Sequence, residues 1–92
     1  MISLVDRFRT SMKAMRLAKE WSQEDLGNKA GYASSYISEI ERGKVTPSLY
    51  LIDDIAKVFE VDQTEMLTDK YYEEYHNNKT KVDNLRGRRR RY

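Results

Sequence analysis

The side chains in this sequence that could do chemistry indicate binding rather than catalysis. Serine and glutamate are present, but no base with a perturbable pKa accompanies them, and the single histidine, His76, falls in a segment predicted to lie at the surface. The sequence has no cysteine, so it can form neither a disulfide nor a thiolate zinc site, and one histidine cannot build a histidine metal cluster. We therefore predict no enzymatic activity, no metal and no cofactor.

Positive charge is concentrated at the end of the chain. The 92 residues carry 17 Lys and Arg against 15 Asp and Glu, yet residues 1–68 hold 9 basic and 11 acidic side chains while residues 69–92 hold 8 basic and 4 acidic ones. Most of this excess comes from five arginines, Arg86, Arg88, Arg89, Arg90 and Arg91. They are predicted either to contact phosphates nonspecifically, each adding about 0.9 to the salt slope of binding, or to form a solvated tail that adds only solubility.

Five helices are predicted in about the first 67 residues, and no alternating pattern is long enough to indicate a strand. Ser22 is an N-cap with an acidic residue three places on, Gly31 is a left-handed stop, and Pro47 suits the first position of a helix. The predicted spans are residues 3–19, 23–30, 34–41, about 47–59 and about 62–67.

Apolar residues at helical spacing predict the core of these helices. They are Leu4, Val5, Phe8, Met12, Met15, Leu26, Tyr36, Ile37, Ile40, Leu49, Ile52, Ile55, Ala56 and Phe59. Trp21 is predicted to be buried or half-buried. Tyr50 and Leu51 fall outside the stripe and, with Tyr71, Tyr72 and Tyr75, predict either a self-association face or packing of the C-terminal segment on its own domain.

The stretch from Ser22 to Leu51 has the spacing of a helix-turn-helix unit, in which a turn of a few residues joins two short helices. Three blocks occur in order: Ser22-Gln23-Glu24-Asp25-Leu26, Ser35-Tyr36-Ile37-Ser38-Glu39-Ile40-Glu41-Arg42-Gly43-Lys44, and Thr46-Pro47-Ser48-Leu49. Over about residues 4–67 the chain thereby resembles the phage repressor and Cro-like (xenobiotic-response-element type) helix-turn-helix family of transcriptional regulators. The resemblance implies an all-α, compact five-helix DNA-binding domain whose second and third helices form the helix-turn-helix.

The resemblance also implies how individual residues meet double-stranded DNA. Gln23 would anchor to a phosphate and brace the recognition helix. Four side chains of that helix would face the groove, namely Ser34, Ser35, Ser38 and Glu39. Phosphates would be met by the following turn through Arg42, the backbone amides near Gly43, and Lys44. Cations and amides fix register on DNA, whereas short hydroxyls can touch several base edges.

Two positions depart from the family pattern. Ala33 stands where the family commonly has a capping hydroxyl, so we predict that Ser34 caps the third helix instead, which would change the serine that points at the bases. Glu39 brings a negative charge to DNA, where it can accept a hydrogen bond from cytosine N4 or repel phosphates and penalise wrong sites.

The first helix has a basic face opposite its apolar stripe, formed by Arg7, Arg9, Lys13, Arg16 and Lys19. Such a face is usually only solvated. For Arg16 the sequence favours a phosphate contact and simple solvation about equally. For Arg7, Arg9 and Lys13 it favours solvation over a phosphate contact.

Residues 1–68 are predicted to form the DNA-binding domain, and residues 69–92 an extension with a short helix to about His76 followed by a disordered Arg-rich tail. No apolar stretch is long enough to span a membrane and the N-terminal residues lack a signal region, so we expect a soluble, cytoplasmic, nucleoid-associated protein without membrane contact.

Two functions follow from these patterns. The first is a sequence-specific regulator of transcription, probing DNA as a homodimer on an inverted repeat and controlling a phage, mobile-element or restriction–modification operon, most simply as a repressor. The second is an antitoxin-like or adaptor protein whose C-terminal tail binds a protein partner, with DNA binding used for autoregulation.

Overall fold

The computed structural model describes residues 2–70. Their regular structure consists of five helices and no strand, as predicted. The helices are α1 (Leu4–Ala18), α2 (Gln23–Ala30), α3 (Ser34–Glu41), α4 (Leu49–Phe59) and α5 (Gln63–Met66). The predicted sixth helix, the Arg-rich tail and the tyrosines beyond residue 70 lie outside the described residues.

Side-chain caps set where four of these helices begin. Ser3, Ser22 and Ser48 each accept a hydrogen bond from the backbone amide three residues on, and Asp62 accepts one from Thr64. At α2 the cap is reciprocal, because the Asp25 carboxylate accepts from the amide of Ser22. These bonds hold the pKa of Asp25 below its usual value. Because these caps are local in sequence, the start of α2 was predictable to the residue.

The core lies where α1, α3, α4 and α5 converge and α2 closes one side. Eight apolar side chains have no solvent exposure, namely Phe8, Met12, Leu26, Ile37, Ile40, Leu51, Ile55 and Met66. Met15, Ala56 and Phe59 complete this cluster, and the half-buried Trp21 stacks on Phe59 with ring centroids 5.4 Å apart. The predicted core is confirmed for most of these residues, including the aliphatic pair Ile37 and Ile40 on α3.

The predicted register of α4 was wrong at its first turn. Helix four begins at Leu49 behind the Ser48 cap, not at Pro47. Leu51, which the sequence pattern left at the surface, is fully buried one turn before Ile55, whereas Leu49 is 82% exposed. Tyr50 is exposed as predicted. Leu4, assigned to the α1 stripe, is also mostly exposed.

Each helix of residues 2–70 is too short or too polar to traverse a lipid bilayer. The described part of the chain also lacks any group of three or more His, Asp or Glu side chains arranged to hold a metal ion.

Candidate DNA-binding surface

The turn between α2 and α3 brings the two helices unusually close. Gly31 ends α2 with a left-handed φ of 86°, and its amide donates to the carbonyl oxygen of Gly27. A β-carbon added at Gly27 would overlap the carbonyl oxygen of Tyr32, so only glycine allows this approach of the turn to α2. The position of α3 relative to α2 is therefore fixed by backbone contact.

The N-terminus of α3 has no side-chain cap. Ala33 is the N-cap residue, and no side chain bonds an amide there. Our prediction that Ser34 provides the cap was wrong, because Ser34 is already the first helical residue and lies inside the helix. Its hydroxyl is thus not held by a cap.

The polar residues predicted to face DNA share one side of α3. Ser34 and Ser35 are exposed and Ser38 and Glu39 are half-buried, while Ile37 and Ile40 on the other side are fully buried. Ser34 with Ser38 and Ser35 with Glu39 are each four residues apart, which places the four side chains in two adjacent rows along the helix. This side of α3, formed by Ser34, Ser35, Ser38 and Glu39, is called the polar face below.

A buried ionic network ties the C-terminal end of α3 to α1 and α2. Arg16 Nε and Nη2 donate to the two carboxylate oxygens of Glu41 at 2.8 and 2.9 Å, and Nη1 donates to the carbonyl oxygen of Trp21 at 2.8 Å. Gln23 Nε2 donates to the same carboxylate at 3.0 Å. Both ends of the Arg16–Glu41 pair are buried, with side-chain exposures of 9% and 3%.

This network corrects the predicted role of Arg16. Its guanidinium is not available to a phosphate, because it is buried and three of its five N–H groups are already bonded inside the domain. The predicted bracing role of Gln23 agrees with its bond to Glu41, while its phosphate contact stays a prediction.

The turn after α3 reverses the chain at Gly43. Gly43 adopts a left-handed φ of 75°. The amides of Arg42, Gly43 and Lys44 donate to the carbonyl oxygens of Ser38, Ile40 and Glu39, so they are bonded within the turn. These three amides are thus occupied within the turn, Gly43 contributes the reversal that ends α3, and a phosphate contact by backbone amides near Gly43 stays a prediction. Arg42 and Lys44 are exposed, as a phosphate contact requires.

Arg9, which the sequence placed on the basic face of α1 with solvation favoured over a phosphate contact, lies beside the end of α3. Its Nη1 donates to the carbonyl oxygen of Glu41 at 3.2 Å, across a separation of 32 residues. Its Nε donates to Asp6 at 2.8 Å, and this bond holds the pKa of the Asp6 carboxyl below its usual value. The only sequence signal for its bond to Glu41 was that Arg9 precedes Arg16 by seven residues, two helical turns, and so lies on the same side of α1.

A second polar contact fixes α4 against the turn. The Tyr32 hydroxyl donates to the Asp54 carboxylate at 2.6 Å, and its ring packs against Tyr36 with centroids 5.6 Å apart. The bond to the carboxylate favours the neutral phenol and raises the pKa of Tyr32 to about 12.

Tyr32→Phe is expected to lower the free energy of unfolding by about 1 kcal/mol at neutral pH, because it removes one partly exposed hydrogen bond. The folded-state pKa of Tyr32 lies above the ordinary 10.0, so the bond contributes fully below pH 10 and its contribution is lost as the pH rises towards 12. Denaturant unfolding of both proteins at pH 7 and above pH 10 measures this. A stability difference that does not shrink at the higher pH would contradict it.

Comparison with known proteins agrees with this geometry. A helix-turn-helix family model matches residues 12–65. The HTH-type transcriptional regulator SinR of Bacillus subtilis (strain 168) is 37% identical over 65 residues, which cover 70% of this chain and 59% of SinR. The HTH-type transcriptional regulator y4dL of Sinorhizobium fredii is 35% identical over 51 residues, covering 55% of this chain and 26% of that protein. The aligned part thus spans little more than half of SinR and about a quarter of y4dL.

The chain belongs to the Cro/C1-type helix-turn-helix family. The family resemblance predicted from its residues is thereby confirmed.

Proposed function

We propose that this protein is a sequence-specific regulator of transcription that binds an inverted repeat in double-stranded DNA as a homodimer, most simply as a repressor. The observation that carries the proposal is the polar face of α3, which is exposed or half-buried along its length while the opposite side of the same helix is fully buried. A helix with this division can place its polar side chains in the major groove while the rest of the domain holds it.

The chemistry of the polar face supports a dimer. It offers three hydroxyls and one carboxylate, and it has neither an Arg for guanine nor an Asn or Gln for adenine. Each good side-chain pair with a base gives about 1–3 kcal/mol of discrimination, so one copy distinguishes few sequences. Two copies on a two-fold axis double the contacts and predict half-site centres about 34 Å apart. The resemblance to phage repressors supports a prophage, mobile-element or restriction–modification operon as the target.

Selection of bound duplexes from random DNA, with sequencing of the bound pool, tests the proposal. The expected result is an inverted repeat with one helical turn between half-site centres, bound with two copies of the chain per duplex. An enriched site without two-fold symmetry would remove the homodimer, and no enrichment over the starting pool would remove sequence specificity.

Substitutions divide the residues of this surface into two roles. Gln23→Ala should weaken binding about fivefold for each bound copy on every sequence, because the phosphate contact and the bond to Glu41 are lost whatever the bases are. Ser35→Ala and Glu39→Gln should instead change which base is preferred at particular positions. Repeating the selection with each variant measures this, with Gln63→Ala on α5 as an amide-deletion control. Equal losses on all sequences for all three variants would contradict the division.

A further inference from the structure

A cation from outside the helix-turn-helix unit lies beside the turn that ends α3. The Arg9 guanidinium reaches from α1 to the Glu41 carbonyl oxygen. An ideal β-carbon at Gly43 would lie 3.6 to 3.9 Å from Arg9 Nε, Cζ and Cδ, so the side chain runs alongside the turn. Arg9 is thus placed where α3 ends, although 25 residues separate it from the start of that helix.

Arg9 has unbonded N–H groups on a partly exposed side chain, whereas the side chain of Arg16 is buried. The bonds to Asp6 and Glu41 occupy two of the five guanidinium N–H groups of Arg9, and 31% of its side chain is exposed. Arg16, two turns later, is 9% exposed and is bonded at Nε and at both Nη atoms. Of these two α1 arginines near the end of α3, Arg9 is therefore the one that can bind an anion from solution or from DNA.

The surroundings of Arg9 on the turn side are cationic. Arg42 and Lys44 flank Gly43 and are exposed, and residues 42–52 contain no acidic side chain. The acidic group that faces Arg9 is Asp6, one turn earlier on its own helix and half-buried. The turn amides are bonded internally, so an anion here would be held by side chains rather than by backbone.

We propose that Arg9 binds a DNA phosphate, forming with Arg42 and Lys44 a site at the turn after α3. The inference rests on the proposed function and adds α1 to the surface that contacts DNA. A phosphate there would be bound by a side chain that also donates to the last residue of α3. The same guanidinium would therefore contact the phosphate and hold the end of the recognition helix.

Arg9 could instead serve only to bond the end of α3, and the salt dependence of binding separates the two roles. A lost phosphate contact reduces the slope of log K against log salt by about 0.9, whereas loosening of the turn lowers affinity without that change. The pair Lys57–Asp53 on α4 provides a matched control, since it too joins a cation to a carboxylate on its own helix, at 3.1 Å.

The experiment measures fluorescence anisotropy of the full chain with a labelled duplex of about 20 base pairs, enough for two half-sites, at several salt concentrations. Two copies bind each duplex, so Arg9→Gln should reduce the slope by about 1.8, which is about 0.9 for each copy, and its affinity deficit should shrink about 12-fold between 50 and 200 mM salt. Arg9→Lys should retain the slope, and Lys57→Gln should not change it. An Arg9→Gln slope equal to that of the wild type would overturn the inference.

A second variant keeps the test valid if Arg9→Gln fails to fold. Asp6→Asn removes the negative charge that competes for Arg9 and leaves the guanidinium in place. It should strengthen binding more than Asp53→Asn does, because only Asp6 faces the proposed site. Equal effects of the two substitutions would count against the inference.

Failure of this inference and failure of the proposed function give different results. If the wild-type chain binds no duplex at about 50 mM salt, the proposed function itself is overturned. If the wild type binds and the slope falls for Arg42→Gln and Lys44→Gln but not for Arg9→Gln, DNA binding stands and only the role of Arg9 is lost.

Discussion

Arg16→Ala is expected to lower the free energy of unfolding by about 3–5 kcal/mol, because it leaves the Glu41 carboxylate buried without its cation. A small domain has a total stability of about 5–15 kcal/mol, so the variant should be largely or partly unfolded at 37 °C. Denaturant unfolding followed by circular dichroism measures the change.

The surface pair of α4 is the control for this prediction. Lys57→Ala breaks an exposed ion pair whose lysine is 71% exposed, and should change stability by less than about 1 kcal/mol. A loss for Arg16→Ala no larger than that for Lys57→Ala would contradict the importance of the buried network.

Replacing both partners separates stability from positioning. Arg16→Met combined with Glu41→Leu removes both charges together, and such exchanges of a buried pair often recover the stability that a single substitution loses. Gln23 would then lack its acceptor on α3. We expect the double variant to fold well yet bind DNA more weakly than the wild type, because the network orients α3 as well as supporting it. Wild-type affinity in a stable double variant would show that orientation does not need the network.

The sequence was informative where the determining contacts are local. Ser22, Asp25 and Gly31 lie within ten residues of one another, and they set both ends of α2. The three-residue spacing of Ile37 and Ile40, with polar residues between them, likewise predicted which side of α3 would be buried. Capping bonds and helical periodicity act over one or two turns, so a single sequence contains their signal.

The predictions failed where a side chain's environment depends on a partner distant in sequence, or where two neighbouring residues both favour a helix start. Arg16 looked like part of a solvated basic face because its partner, Glu41, is 25 residues away. The sequence also did not distinguish which glutamate of α3, Glu39 or Glu41, would be buried. Arg9 bonds the carbonyl of Glu41 across 32 residues, a contact with no sequence pattern. At α4, Pro47 and Ser48 are both favoured at a helix start. The helix begins at Leu49 behind the Ser48 cap, two residues later than predicted, and Leu51 rather than Leu49 is buried.

Gly27→Ala is expected to destabilise the domain by about 2–3 kcal/mol, although alanine normally favours a helix over glycine by about 1 kcal/mol. The added methyl would overlap the carbonyl oxygen of Tyr32, a backbone atom that can move only if the whole turn moves. Ser34 N lies 3.4 Å from the same position, so the start of α3 would be pushed as well.

Gly31→Ala isolates the steric part of this effect. Its β-carbon would meet nothing within 4 Å, and the cost is that of a left-handed backbone at a φ of 86°, about 1–2 kcal/mol. Thermal and denaturant unfolding should therefore show that Gly27→Ala is less stable than Gly31→Ala. DNA affinity, measured where both variants are fully folded, should fall further for Gly27→Ala, because its strain is relieved by moving α3 away from α2. If Gly27→Ala is as stable as the wild type, the two helices can separate freely and the close approach at Gly27 does not hold the recognition helix in place.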